Sequence, residues 1–144
     1  MKLKVKKLHP DAKLPTYATD GSACFDIYAL SVSAVTAVPA NKGMIFHTGL
    51  SFEIPRGWVM MIYSRSGHGF NKGVRLSNCV GVIDSDYRDE VKVKLFNDSQ
   101  SNFLVERYDR IAQAMLVPVE KVEFEEVEEL STTARLGGFG STGK

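Results

Sequence analysis

Short strand-like stretches recur along the chain, and in most of them apolar and polar residues alternate. The clearest examples are residues 3–5, 58–63, 91–95 and 122–125. Because successive side chains of a strand point to opposite faces of a sheet, this pattern predicts β-strands. Turn-forming residues separate the stretches at 20–21, 41–43, 55–57, 71–73 and 97–99.

Helical periodicity is weak throughout the chain. The best candidate is residues 67–72, which would form at most a turn or two of helix. Many short strands with turn residues between them are typical of an all-β sandwich or barrel. A length of 144 residues fits one domain.

Composition narrows the class of protein. A net charge of +1 argues against a dedicated nucleic-acid binder, which usually carries a basic patch. No apolar run approaches the roughly 20 residues that cross a bilayer, and the N-terminus lacks the apolar core of a secretory signal. We therefore expect a cytoplasmic protein, in host cytoplasm if a phage or virus encodes it. Cys24 and Cys79 should be semi-buried free thiols, and no zinc spacing occurs.

The composition changes near Leu130. Residues 120–129 contain six glutamates, which we interpret as the solvated face of a strand. Residues 131–144 have almost no core-forming side chains, so they are either a disordered end or an arm that folds on binding. Phe139 favours the arm, because a lone aromatic among glycines has nothing local to pack against.

The arm formally matches a phosphate-loop pattern from Gly138 to Lys144. A true phosphate loop follows a strand and opens a helix, whereas this chain ends at the lysine. Glycine N–H groups with the hydroxyls of Ser141 and Thr142 could still bind an anion.

Residues 64–69 are a second candidate anion site. The glycines allow close backbone approach, Ser66 offers a hydroxyl and Arg65 offers a forked cation. The alternative is an ordinary glycine-rich turn. His68 could shuttle protons, although a solvated loop histidine is the simpler interpretation.

Carboxylates occur at two informative positions. Asp84 and Asp86 follow an apolar stretch, where a carboxylate can orient and deprotonate a water, or can instead cap its own turn. Tyr87 beside them could be a core residue. Asp26 lies inside an apolar run and needs a partner if buried; an ion pair with Arg110 is preferred to a metal site.

Together these segments resemble the trimeric dUTPase family, which hydrolyses dUTP to dUMP and pyrophosphate. The five ordered motifs of that family correspond to residues 21–29, 65–67, 78–88, 109–113 and 135–143. The resemblance implies a jelly roll over residues 1–130, at most one short helix, and a flexible arm over 131–144. It also implies a homotrimer whose active sites lie between subunits.

The resemblance also implies residue roles. Asp84 should hold the water that attacks the α-phosphorus. The substrate-binding residues should be Arg65, Ser66, Gly67, Asn78, Gly81, Val82, Ile83, Tyr87, Gln113, Arg135, Phe139, Gly140, Ser141 and Thr142. Among them, Asn78 and nearby main chain should read uracil in a tight hairpin, and Tyr87 should exclude a ribose. Mg²⁺ should be held mainly by the triphosphate, with Asp26 acting at most through a metal-bound water.

Several residues depart from the usual family pattern. Ser64 stands where proline is common, His68 replaces an apolar residue, and Asp89 and Tyr108 replace glycines. Arg135 precedes Phe139 by four residues where five is usual.

Two alternatives remain: a dCTP deaminase of the same fold, and a trimeric module that binds a nucleotide to regulate a partner. The expected role is to keep uracil out of DNA and to supply dUMP for dTTP synthesis, with no stable nucleic-acid or membrane binding.

Overall fold

A computed structural model describes residues 1–30, 35–134 and 137. Within these ranges the chain forms strands and a single helix, which confirms the all-β class. The strands are β1 (Lys4–Lys7), β2 (Thr16–Tyr17), β3 (Phe25–Tyr28), β4 (Val35–Val38), β5 (Gly43–His47), β6 (Leu50–Glu53), β7 (Trp58–Tyr63), β8 (Val74–Leu76), β9 (Val80–Ile83), β10 (Lys92–Asn97), β11 (Phe103–Glu106) and β12 (Arg110–Pro118). The helix α1 spans Ser66–Lys72, one residue more than predicted.

The strands pair antiparallel in four sheets. The largest has the order β2-β3-β12-β7-β9, and a second has the order β5-β10-β8. Two strand pairs, β1 with β6 and β4 with β11, complete the described part of the jelly roll. One apolar core joins the sheets, and its largest fully buried side chains include Ile27, Leu50, Ile54, Met60, Leu95 and Ile111.

Strand β10 shows how the alternating pattern produces a sheet. Val93 and Leu95 are buried, whereas Lys92 and Lys94, which alternate with them, are exposed. A strand sends alternate side chains to opposite faces, so one face of β10 joins the core while the other meets solvent. The strand predicted at residues 91–95 is therefore confirmed.

Predicted turns also occur where the sequence indicates them. The N–H of Trp58 donates to the carbonyl of Pro55, and Gly57 between them has φ of 83°. This left-handed backbone favours glycine, because a side chain there would clash with the main chain. Gly73 ends α1 in the same way, with φ of 63° and its N–H bonded to the carbonyl of His68.

One predicted strand is wrong. Residues 122–125 are not a strand, and residues 119–134 are exposed throughout. Phe124 is 92% exposed and Val122 is 69% exposed, so neither side chain joins the core. A strand needs a paired edge and an apolar surface beneath one face, and the described residues supply neither to this segment.

Two further findings concern cysteines and membranes. Both thiols are free, as predicted, but only Cys24 is half-buried; Cys79 is exposed, because it lies at the tip of a turn. No helix in the described ranges is long and apolar enough to cross a membrane.

Candidate active site

The segment after β7 leads directly into the helix α1. Arg65 is the cap residue, with extended backbone angles of −81° and 135°, and its carbonyl accepts the N–H groups of His68 and Gly69. Ser66 and Gly67 form the first turn and are exposed. A methyl group added at Gly67 would meet nothing within 4 Å, so the space above this turn is open. The turn can therefore admit a ligand such as a phosphate group.

A buried carboxylate holds the arginine of this loop. Asp26 Oδ1 lies 3.3 Å from Arg65 Nε, and Asp26 Oδ2 lies 3.3 Å from Arg110 Nη1. The predicted pair of Asp26 with Arg110 is confirmed, and Arg65 is an additional partner that the sequence did not indicate. Both carboxylate oxygens are engaged by cations, so Asp26 is not placed to bind a metal ion directly.

Gln113 connects the loop to the central strand β12. Its Nε2 donates to the carbonyl of Ser64 at 3.0 Å. The hydroxyl of Ser64 accepts the N–H of Leu76 at 2.9 Å, which links the loop to the end of β8. Ser64 lay within the predicted anion-binding segment 64–69 but was given no role of its own, because its partners Gln113 and Leu76 are distant in the sequence.

His68 is not the solvated loop residue that we expected. Its ring packs edge-on against Phe103 at 5.0 Å, and its Nδ1 is buried without a hydrogen-bond partner among the described residues. Burial lowers the pKa of His68, and the nearby Arg65 guanidinium lowers it further. The imidazole is therefore held in its neutral form more firmly than a free histidine.

Residues 77–79 make a tight turn between β8 and β9. The N–H of Val80 donates to the carbonyl of Asn78 at 2.7 Å across Cys79, whose φ is 63°. The hairpin that we expected here is wrong, because β8 pairs with β10 whereas β9 pairs with β7. The two flanking strands belong to different sheets, and Asn78 projects at the exposed crossing between them.

Strand β9 pairs closely with β7 at Gly81. Gly81 is buried, and a methyl group added to it would lie 3.1 Å from the Cβ of Ile62. Val82 faces outward at 58% exposure, and Ile83 is half-buried. The main chain of β9 thus lies close to β7 while Val82 remains open to a ligand.

Asp84 follows β9 and is exposed. The N–H of Tyr87 donates to the Asp84 carbonyl at 3.2 Å, which closes a turn. Within the described ranges, no hydrogen bond or ion pair engages the carboxylate of Asp84 or of Asp86. The alternative in which these carboxylates cap their own turn is therefore wrong for this structure.

Asp84 lies in an open groove that carries two cations and a second carboxylate. A groove of about 520 Å³ is lined by Asp84, Asp86, Arg56, Trp58 and Lys121, among others. A carboxylate with unoccupied oxygens beside two cations can accept a proton from a water while a neighbouring anion is held.

Tyr87 is not a core residue, because it is 39% exposed. Its hydroxyl donates to the carbonyl of Glu90 at 3.0 Å, which fixes the ring at the rim of the turn. The neighbouring Arg88 donates from Nη1 to the carbonyls of Ser85 and Tyr87. The turn after β9 is thus held by its own main chain and by one guanidinium.

The predicted residues fall into two groups on one chain. Ser66, Gly67, Gln113 and the Asp26 ion pairs lie where β7 ends, and Asn78 is near them because Val80 pairs with Tyr63. Asp84 follows the opposite end of β9, where Ile83 pairs with Met60. From Val80 to Asp84 the extended chain advances four residues, or about 13 Å. The predicted positions 135 and 139–142 lie outside the described residues.

The residues of the chain match the sequence model of one family, described as dUTPase, over positions 10–143. The chain belongs to the dUTPase family. Curated dUTPase relatives span its whole length. The deoxyuridine 5'-triphosphate nucleotidohydrolase of Nautilia profundicola is 48% identical and covers 100% of both chains. That of a Hydrogenobaculum species is 46% identical over 99% of each chain.

Solved dUTPase structures share the fold. A mutant dUTPase of Staphylococcus bacteriophage 80alpha with dUpNHpp has a TM-score of 0.87, 23% identity, and matches 99% of this chain and 98% of its own. A mutant dUTPase from phage phi11 of S. aureus, described with a structural Mg(II) ion, has a TM-score of 0.79 and 21% identity over 90% of this chain. At these identities the likeness concerns the fold alone.

Proposed function

We propose that the chain is a dUTP diphosphatase, which hydrolyses dUTP to dUMP and pyrophosphate. The observation that carries this proposal is the Asp84 carboxylate, which is exposed on an open groove that also carries Arg56 and Lys121 and is engaged by no described neighbour. Such a group can orient a water and take its proton as the water attacks phosphorus. Membership of the dUTPase family supports the α-phosphorus as the target. Its product would supply dUMP for dTTP synthesis, and its reaction would keep uracil out of DNA.

Each further site residue has a proposed part in binding. Ser66, Gly67 and Gln113 would contact the phosphates beside the anchored Arg65. Asn78 with the main chain of residues 81–83 would read the uracil edge. The ring of Tyr87 would lie against the deoxyribose and leave no room for a 2′-hydroxyl.

Mg²⁺ would arrive with the substrate. Over the described residues, no cluster of three or more His, Cys, Asp or Glu side chains could hold a metal ion. The Asp26 carboxylate is engaged by two arginines, so it could reach a metal only through water. A triphosphate offers oxygen ligands of its own, which Mg²⁺ prefers, and the bound ion would offset its negative charge.

The active form would be a homotrimer. Its support is the separation of about 13 Å on one chain between Asp84 and the end of β7, where residues 64–67 (from here on, the phosphate loop) begin, since a shared site would then need two chains. A second support is apolar surface that the chain leaves uncovered. Phe124 is 92% exposed and Leu130 is 86% exposed. A groove of about 690 Å³, lined by residues that include Leu3, Tyr17 and Trp58, is also open. Light scattering of the purified protein would give the oligomeric state.

Residues 131–144 would form an arm that closes the site of a neighbouring subunit. Phe139 would stack over uracil, and Arg135, Gly140, Ser141 and Thr142 would hold the distal phosphates. The jelly-roll body would end near residue 130, beyond the last described strand at Pro118. An arm that orders over the substrate would exclude water and fix the phosphate chain for attack.

The reaction can be tested by mixing the protein with dUTP, dTTP, UTP and dCTP and measuring pyrophosphate, with and without EDTA. We expect release from dUTP alone, abolished by EDTA and restored by Mg²⁺. Ammonia release from dCTP would instead indicate a deaminase, and the absence of any turnover would contradict the proposed activity.

A further inference from the structure

Ser64 occupies a junction between three segments that the proposed site uses. It lies between β7, which ends at Tyr63, and the cap residue Arg65. Its side chain is bonded to β8 and its main chain to β12, so it contacts both neighbours at once. The residue itself is half-buried and has no proposed contact with the substrate, but its carbonyl bonds to Gln113, a proposed phosphate contact.

The hydroxyl of Ser64 fixes the turn at residues 77–79, which carries Asn78 and is called here the base-reading turn. It accepts the N–H of Leu76 at 2.9 Å, and Leu76 is 2% exposed. The carbonyl of Leu76 then accepts the N–H of Cys79 at 3.2 Å, the bond that closes the turn carrying Asn78. Because a buried N–H without a partner is costly, loss of the hydroxyl would shift Leu76 and the turn that depends on it.

The carbonyl of Ser64 fixes the phosphate side. It accepts the Nε2 of Gln113 at 3.0 Å, and the next residue is Arg65, which Asp26 anchors. A displacement of Ser64 would therefore also displace the side chain of Gln113 and the start of α1. Base reading and phosphate binding are joined through this one residue.

We propose that Ser64 is a positioning residue, which holds the phosphate loop and the base-reading turn of one chain in a fixed relation. This inference rests on the proposed function. If each active site lies between two chains, the same residue ties the phosphate loop of one site to the base-reading turn of the next. Its loss should then weaken both substrate affinity and the discrimination against a 5-methyl group.

The test compares Ser64→Ala and Ser64→Thr with the wild type. Ser64→Ala should raise the KM for dUTP about fivefold, leave kcat within about twofold, and lower the preference for dUTP over dTTP severalfold. Ser64→Thr keeps the hydroxyl and should restore both values. Ser99→Ala is the matched control, because its hydroxyl also accepts a main-chain N–H, in a turn outside the five motif segments.

The outcomes separate this inference from the proposed function. A wild-type protein without dUTP hydrolysis contradicts the function. An active wild type with an unchanged Ser64→Ala, or a Ser64→Thr as impaired as Ser64→Ala, contradicts the role of Ser64. If Ser64→Ala fails to fold, amide exchange in the wild type decides the matter. The Leu76 N–H should be strongly protected, and exchange as fast as at the exposed Asn78 would overturn the proposal.

Discussion

Arg65 Nε lies 3.3 Å from Asp26 Oδ1, so the residue that caps α1 is anchored to a buried carboxylate on β3. Arg110 on β12 engages the other oxygen of the same carboxylate at 3.3 Å. Two cations on one carboxylate leave a net positive charge near the phosphate loop. This arrangement can attract a triphosphate while it holds Arg65 in one position.

Asp26→Asn should destabilise the fold, because it leaves two arginines without their counter-charge. The Asp26 side chain is 9% exposed, whereas those of Arg65 and Arg110 are 23% and 47% exposed. Solvent would screen part of the loss, so we expect about 2–3 kcal/mol in the free energy of unfolding, measured with urea. The KM for dUTP should also rise, since Arg65 loses its anchor.

Glu53→Gln is the control for this change. Glu53 pairs with Lys4 at 2.7 Å, but both side chains are largely exposed. Exposed pairs contribute little to stability, so this variant should unfold like the wild type. Equal unfolding of Asp26→Asn and Glu53→Gln would show that the Asp26 pairs do not stabilise the fold.

Local patterns in the sequence predicted much of this structure. The alternation of lysines at 92 and 94 with Val93 and Leu95 was sufficient to predict β10, because a two-residue period indicates a strand with one buried face. The short helix predicted at 67–72 is present and begins one residue earlier, at Ser66; glycine at 73 provides its stop. The Asp26–Arg110 pair was predicted because a carboxylate within an apolar run requires a partner.

The errors arise where contacts between distant residues decide the structure. The alternation at 122–125 has the period of a strand, but the described chain provides no edge for it to pair with. His68 was expected in solvent because its neighbours in sequence are glycines, whereas Phe103 covers it from another strand. Ser64 could not be assigned a role, because its partners Leu76 and Gln113 become neighbours only on folding.

Asp84→Asn should separate binding from turnover. The amide keeps the size of the side chain but cannot accept a proton from water, so kcat should fall by roughly 10²- to 10⁴-fold. Affinity for the imido analogue of dUTP, measured by calorimetry, should stay within a few-fold of the wild-type value. Asp86→Asn is the matched control, two residues away and also exposed, and should retain most activity. An unchanged kcat in Asp84→Asn would refute its role as the base.

Tyr87 variants should test whether the ring of Tyr87 excludes a ribose. Tyr87→Ala removes the ring, so the ratio of kcat/KM for dUTP to that for UTP should fall about tenfold. Tyr87→Phe keeps the ring and loses only the bond to the Glu90 carbonyl, so it should discriminate almost as well as the wild type. Equal discrimination by the alanine variant would contradict steric exclusion by this ring.

Truncation after Leu130 should remove activity without unfolding the body. The described strands end at Pro118, and residues 119–134 are exposed, so the core loses no buried side chain. We expect an unchanged melting temperature and oligomeric state, with greatly reduced pyrophosphate release. Phe139→Ala in the full-length chain should reproduce part of the loss. A fully active truncated protein would show that residues 131–144 do not close the site.

His68 should make the stability of the protein depend on pH. Burial first and Arg65 second lower its folded pKa, while its unfolded value is about 6.5. As the pH falls, the unfolded chain therefore takes up a proton at this histidine before the folded chain does. The contribution of His68 to the free energy of unfolding is thus fully present above about pH 6.5 and decreases as the pH falls toward the folded pKa. Arg110 adds to this effect and Asp109 opposes it.

His68→Leu keeps the contact with Phe103 and removes the titrating ring, so its free energy of unfolding should change less between pH 7.5 and 5.5. His9→Gln, at an exposed histidine, should retain the wild-type decrease. If the free energy of unfolding falls equally with pH in the wild type and in His68→Leu, His68 does not control this dependence.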